Sequence, residues 1–328
     1  MCGIFGMLGQ NAVADTLKAL KTLEYRGYDS AGIAVKDGNG IKLFKTVGRV
    51  ENLKDAIPSE VYGTLAIGHT RWATHGEVCQ GNAHPFYSAD KNFAIVHNGI
   101  IENHLSLKYQ LSSVGVEFSS QTDSETVAHL LQKNYKNSVL DSVLATANQL
   151  EGSFAIVVAN TYDDNLYAIK NKSPLVVGIN RDGAYFCSDV RCLSRWVDKV
   201  AVAPDNVVAV ANRQSVAFYD FKGNPVSVKF FAVENAEEIS GADGDYMLKE
   251  ILEIPEKIRQ AKQGYFKSGG LSLPAKTVHR VKRIYLIGCG TAYNSGLEAA
   301  AIARKMLSID VIPVIASEFI YDNYPVDS

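Results

Sequence analysis

The chain has 328 residues, 33 Lys and Arg against 35 Asp and Glu, a formal net charge of −2, a pI near 6.4, 47% hydrophobic residues and a mean hydropathy of −0.03. That balance predicts an ordinary globular protein of about two domains and supplies neither a basic stripe for nucleic acid nor a polybasic patch for a membrane. Five cysteines, at 2, 79, 187, 192 and 289, are odd in number and lack CxxC or Cys/His ligand spacing, so a reducing compartment, no metal and no cofactor are expected. With no basic n-region, no long apolar h-region and no run of ~18 apolar residues, a cytoplasmic location is expected.

The chain opens Met1-Cys2-Gly3-Ile4-Phe5-Gly6. Trimming of Met1 would leave Cys2 with a thiol and a free α-amine. A free thiol titrates near ~8.5 and an α-amine near ~8, so the amine can take the thiol proton at working pH and later return it. Nucleophile and base would then sit on one residue. A plain buried cysteine at the start of a strand is the competing reading, and the rest of the chain decides between them.

Strand Ile4–Leu8 is followed by Val13, Leu17 and Leu20 at helical spacing, which predicts an amphipathic helix over 12–23. Gly27 marks Tyr25–Ser30 as a loop. Short β-rich runs at 32–36, 41–47 and 65–68 lead into His69-Thr70-Arg71-Trp72-Ala73-Thr74-His75-Gly76, which has no regular period and reads as a site-bearing loop. The Arg71 guanidinium suits the α-carboxylate of an amino acid, because its fork meets a carboxylate with two parallel hydrogen bonds. A structural ion pair is the alternative.

Phe93–Ile101 carries His97-Asn98-Gly99, and Asn-Gly between apolar runs predicts a type I′ hairpin turn. The Asn98 amide and the Gly99 N–H could also converge on one oxygen, as a tetrahedral intermediate of amide cleavage requires. Leu107, Leu111 and Val114 suggest another helix. Thr122-Asp123-Ser124-Glu125 reads as a capping box opening a third, with Asp123 complementing its dipole. Strands are expected at 154–159, 165–169, 175–179, 184–187, 207–210, 215–219 and 226–232.

Taken together, the N-terminal cysteine, Tyr25-Arg26-Gly27-Tyr28-Asp29-Ser30, His69–Gly76, His97–Ile100 and Gln121–Glu125 resemble, in order and spacing, the glutaminase half of the glutamine:fructose-6-phosphate aminotransferase family. The resemblance implies an α+β fold, the αββα sandwich of N-terminal-nucleophile hydrolases, over 1–233. It also implies catalytic roles for Cys2, Asn98 and Gly99, and glutamine binding by Arg26, Gly27, Arg71, Trp72, Thr74, His75 and Asp123. Arg26 and Gly27 would fold over the bound glutamine, and Asp123 would take its ammonium group.

The acidic, glycine-containing stretch 234–245 reads as a linker. Residues 246–262 read as a helix broken near Pro255. A strand over 283–287 then runs into Gly288-Cys289-Gly290-Thr291-Ala292-Tyr293-Asn294-Ser295-Gly296 and a helix over 297–306. Strand, glycine-rich turn and helix start form a natural phosphate anchor. Tyr293 occupies the third glycine position of a dinucleotide fingerprint and so excludes that reading.

This turn is similar to the opening of the family's sugar-isomerase-type half, with Gly290 and Thr291 at the sugar phosphate and 311–315 as the next parallel strand. Two features depart from the family. Ala292 stands where a serine is usual, and roughly 80 residues fall short of the ~100–150 of a doubly wound α/β domain. Residues 246–328 are therefore expected to be its incomplete start, whether fragment or truncated homologue. The implied partners are glutamine and fructose 6-phosphate, with a homodimer in the full-length family. Another class II amidotransferase, or a non-catalytic phosphosugar-sensing or interaction module, remain the alternatives; the phosphosugar-type turn weighs against the first, and the complete residue set at the first site against the second.

Overall fold

The computed structural model describes residues 2–73, 76–233, 246–267, 270–271, 281–306 and 309–326. The predicted linker, 234–245, lies outside the described residues. Two compact units divide at Tyr246/Met247.

The first unit contains β1 (Gly3–Leu8), α1 (Ala12–Leu23), β2 (Ser30–Asp37), β3 (Gly40–Val47), α2 (Val50–Ala56), β4 (Leu65–Arg71), β5 (Phe86–Tyr87) and β6 (Phe93–Ile101). Then follow α3 (His104–Ser112), α4 (Ser124–Asn134), α5 (Val139–Ala147), β7 (Gly152–Asn160), β8 (Leu166–Asn171), β9 (Val176–Ile179) and β10 (Ala184–Cys187). Helix α6 (Val190–Leu193) and strands β11 (Lys199–Val202), β12 (Val207–Ala211), β13 (Val216–Asp220) and β14 (Phe231–Ala232) complete it. An eight-stranded sheet has the order β14-β11-β9-β10-β1-β4-β2-β3, and a six-stranded sheet the order β13-β12-β8-β7-β6-β5.

Side-chain alternation along the strands produces the layers. From β1, Ile4 and Leu8 enter the core between the sheets, while Phe5 and Met7 pack outward with Leu20 and Leu23 of α1. From β6, Ala94 and Val96 face inward, while Phe93 and Ile95 pack outward with Leu107 of α3 and Leu130 of α4. The result is the expected four-layer αββα sandwich.

The same parity, carried past the core, places the site. Cys2 continues the inward series of Ile4; His69 and Arg71 continue that of Leu65 and Ile67; Asn98 continues that of Ala94 and Val96. Register puts Gly3 opposite Thr70, so the start of β1 meets the end of β4. Strand β5 pairs only with Ile95 and Ala94, and leaves the outer edge of β6 beyond Val96 without a strand among the described residues. The inner faces of both sheets therefore open at this end.

Several local expectations fail for identifiable reasons. Strand β4 runs through Arg71, so His69–Arg71 is strand and not loop; pairing with β1 and β2 on both sides holds it extended. No hairpin turn forms at Asn98-Gly99. Both residues are paired within β6, opposite Ala155 and Phe154 of β7, because a tertiary ladder overrides the local turn preference. No capping box forms at α4 either: the Glu125 carboxylate is taken by Ser119 and Ser120, and Asp123 makes no side-chain cap. Only Phe231–Ala232 of the strand expected over 226–232 forms one, whereas β11 and α5 had no clear sequence signal.

In the second unit, helix α7 (Tyr246–Tyr265) continues through Pro255. Ile251, whose carbonyl loses its N–H partner to the proline, is solvent-exposed, so water can satisfy that carbonyl. The strand Arg283–Gly288 pairs in parallel with Asp310–Ile315, and the helix Thr291–Met306 connects them. That helix begins at Thr291, six residues earlier than expected. Gly290, in the turn before it, adopts a φ of +56°, which favours glycine.

Candidate active site

At the open end of the sandwich, Cys2, His69, Arg71, Trp72, His84, His97, Asn98, Gly99 and Thr122–Ser124 line one pocket. The space between them is about 50 Å³, so entry of an amino acid requires the lining side chains to part. The Cys2 sulfur lies 3.2 Å from the Trp72 N–H, which donates to it. Burial pushes the Cys2 thiol pKa up; the Trp72 N–H and the Arg71 charge oppose that rise by favouring thiolate.

Asn98 is fixed at both ends of its amide. Its Nδ2 donates to the Cys2 carbonyl at 2.9 Å, and its Oδ1 lies 2.9 Å from His69 Nε2. His69 Nε2 also lies 3.0 Å from the His97 carbonyl, which can only accept, so this nitrogen carries the proton and donates to both oxygens. The amide hydrogens of Asn98 are thereby turned toward Cys2.

Gly99 continues β6 with φ +122°, and a Cβ there would lie 1.9 Å from the Ser153 carbonyl oxygen. Only glycine lets β6 pass this point, and β6 carries Asn98 to the nucleophile.

Three imidazoles back the pocket. His84 stacks on His69 with centroids 4.1 Å apart, and its Nδ1 accepts from the His97 N–H at 3.2 Å. His97 Nδ1 bonds Ser124 Oγ at 2.8 Å, and Ser124 Oγ in turn donates to Asp123 Oδ1. The second Asp123 oxygen accepts the Ile101 N–H at 2.8 Å. Burial is the main cause that holds all three histidines neutral: His69 falls to about 3, His84 well below its ordinary value, and His97 below it as well. The sequence, with no acid or cysteine at ligand spacing, marks His69 as a hydrogen-bonding residue rather than a metal ligand, and hydrogen bonding is its part here, but it gives no role to His84 or His97. Their common signal is a histidine within or beside a buried strand.

Arg71 is buried and its Nη1 donates to the Glu77 carbonyl at 3.3 Å. Trp72 is 45% exposed and meets Tyr28 edge-on at 5.7 Å, forming the outer rim. Gly27 packs against the Arg71–Trp72 backbone so closely that a Cβ would lie 2.6 Å from Trp72 N. The Arg26 guanidinium does not line the pocket; it pairs with Asp189 at 3.1 Å and donates to Tyr25 Oη at 3.0 Å. Thr74 and His75 lie outside the described residues. Gly290 and Thr291 belong to the second unit.

The fold is that of the class II, N-terminal-nucleophile glutamine amidotransferases. Residues 69–195 match the glutamine amidotransferase domain family. The glutamine phosphoribosylpyrophosphate amidotransferase from B. subtilis superposes with a TM-score of 0.59 at 25% identity, over 68% of this chain and 50% of that one.

More particularly, the chain is similar in sequence to the isomerizing glutamine–fructose-6-phosphate aminotransferases. It is 39% identical over 334 residues to that of Fusobacterium nucleatum, covering 98% of this chain and 55% of the relative. The Aquifex aeolicus protein is 38% identical over 332 residues, covering 99% and 56%. The chain thus spans about half the length of the curated relatives it matches. Among the described residues, no helix is long and apolar enough to cross a membrane.

Proposed function

We propose that this chain hydrolyses glutamine to glutamate and ammonia, with Cys2 as nucleophile, and that in the whole protein the ammonia passes to fructose 6-phosphate to give glucosamine 6-phosphate. The observation that carries this reading is the meeting of Cys2, Arg71, Asn98, Gly99 and Asp123 in one pocket at the mouth of the sandwich.

In this mechanism, removal of Met1 frees the Cys2 amine, which takes the thiol proton. The thiolate attacks the side-chain amide carbon of glutamine, and the resulting oxyanion accepts from Asn98 Nδ2 and the Gly99 N–H. To make that bond Asn98 exchanges its contact with the Cys2 carbonyl for the oxyanion, while His69 keeps its Oδ1 in place. Collapse expels ammonia, protonated by the amine, and leaves a thioester. Water attacks the thioester, passes its proton to the amine, and releases glutamate as Cys2 is regenerated. Arg71 binds the α-carboxylate and Asp123 the α-ammonium, which selects a free amino acid over a peptide. Arg26 and Gly27, with Trp72, Thr74 and His75, complete the glutamine site; Arg26 exchanges Asp189 for the substrate. Gly290 and Thr291 hold the sugar phosphate at the start of their helix.

The test is glutamate release from glutamine by protein whose first residue is Cys2. Hydrolysis that disappears in Cys2→Ala is expected. Absence of hydrolysis in the protein with an intact Cys2 would overturn the proposal and favour a non-catalytic module.

A further inference from the structure

A second cleft, of about 380 Å³, opens on the other side of the 119–125 segment. Its size suits a small metabolite. Leu43, Phe86 and Ala89 form an apolar wall, and the polar lining is rich in unused donors. Lys45 Nζ stands 4.9 Å from the centre of the Phe86 ring, and among the described residues no hydrogen bond or ion pair engages its ammonium. Burial pushes the Lys45 amine below its ordinary range, the state of a cation without an adequate counterion.

Among the described residues His129, 4% exposed, has no hydrogen-bond partner at Nδ1, and its Nε2 lies 3.5 Å from Glu125 Oε1 without hydrogen-bond alignment. Glu125 has little acceptor capacity to spare. Its two oxygens already receive the N–H and hydroxyl of both Ser119 and Ser120 at 2.7–2.9 Å. Lys91 and Glu117 stand on the exposed rim.

We propose that this cleft binds a small phosphomonoester, with phosphate oxygens accepting from Lys45 and His129, Lys91 at the mouth, and the organic body against Phe86. A phosphate fits better than a carboxylate because the donors come from three separate elements, and three terminal oxygens can meet them where two in one plane cannot. The cleft shares no lining residue with the Cys2 pocket and lies in the first unit, so it is distinct from the turn at Gly290.

Calorimetric titration of the full chain with phenyl phosphate tests the proposal. Saturable binding is expected, weakened roughly tenfold or more in Lys45→Met, since a charge-assisted bond is lost. Lys91→Met alters only the rim, cannot unfold the cleft, and is expected to weaken binding as well. Thr291→Val is expected to leave this binding unchanged, and benzoate to bind roughly tenfold more weakly than phenyl phosphate. No saturation up to about 10 mM would overturn the proposal. So would unchanged binding in both lysine variants, loss in Thr291→Val alone, or benzoate binding equal to phenyl phosphate.

Discussion

The orientation of one amide decides whether the pocket can stabilise negative charge. An asparagine can present either its oxygen or its nitrogen, and an oxygen aimed at an oxyanion would repel it. Here the shared His69 Nε2–H holds Oδ1 of Asn98, so the nitrogen must face Cys2. Asn98→Ala is expected to lower the glutaminase rate constant roughly 10²–10³-fold with little change in KM, read from steady-state glutamate release. His69→Leu leaves the amide free to rotate and is expected to lower kcat by about tenfold while sparing KM; a purely elevated KM would show that His69 shapes the binding site instead. Asn98 could be singled out in the sequence because its amide and the Gly99 N–H can converge on one oxygen, although the hairpin turn expected at the same pair does not form. Its orienting partner could not be, because parity on two different strands brings them together only after both sheets are built.

At the scale of elements, β6 and the 119–125 segment are the parts that position chemistry. Strand β6 depends on Gly99: any side chain there meets the β7 backbone and also faces a positive φ. Gly99→Ala should cost about 3 kcal/mol or more, seen as a lowered urea midpoint or loss of folded protein, and full retention of stability would refute the packing argument. The Glu125 latch is a second case. Four donors from Ser119 and Ser120 fasten the chain just before Asp123. Glu125→Ala is expected to destabilise by ~2 kcal/mol and to raise the KM for glutamine, since Asp123 loses its fixed approach. Strands and most helices were readable from periodicity, as in α1, whose bounds agree with the pattern. The capping box was misread for an instructive reason: Ser/Thr-x-x-Glu names residues that can pair, but two serines upstream supplied more donors than Thr122 could.

The whole molecule responds to acid through groups its fold keeps in the wrong state for low pH. His69, His84 and His97 are neutral in the native protein but take a proton near ~6.5 when unfolded. Between that value and about 3, for His69, the unfolded chain binds more protons, so stability is complete above ~6.5 and declines as pH falls, by up to ~1.4 kcal/mol per pH unit for each histidine. Glu125 adds to the loss in a lower window. Burial alone would raise its pKa, but the neighbouring His129 and the hydrogen bonds of Ser119 and Ser120 prevail and hold it at about 2, and Asp189 is lowered likewise by Arg191, Tyr25 and Arg26. The urea midpoint is expected to be clearly lower at about pH 5.5 than at about pH 7.5; an unchanged midpoint would mean that the imidazoles gain protons within the folded state.

The same shared proton gives the protein an internal spectroscopic reporter. A ring N–H shielded from solvent and held between two oxygens exchanges slowly and should resonate far downfield in a proton spectrum, where few other signals appear. Because His69 stays neutral until about pH 3, its line should not move across the range in which surface imidazoles titrate. It should move when a ligand reaches the nucleophile, because Asn98 then trades its contact with the Cys2 carbonyl for a new acceptor and redistributes the charge on Oδ1. Occupancy of the pocket could thus be followed by a single line, without a label and without turnover.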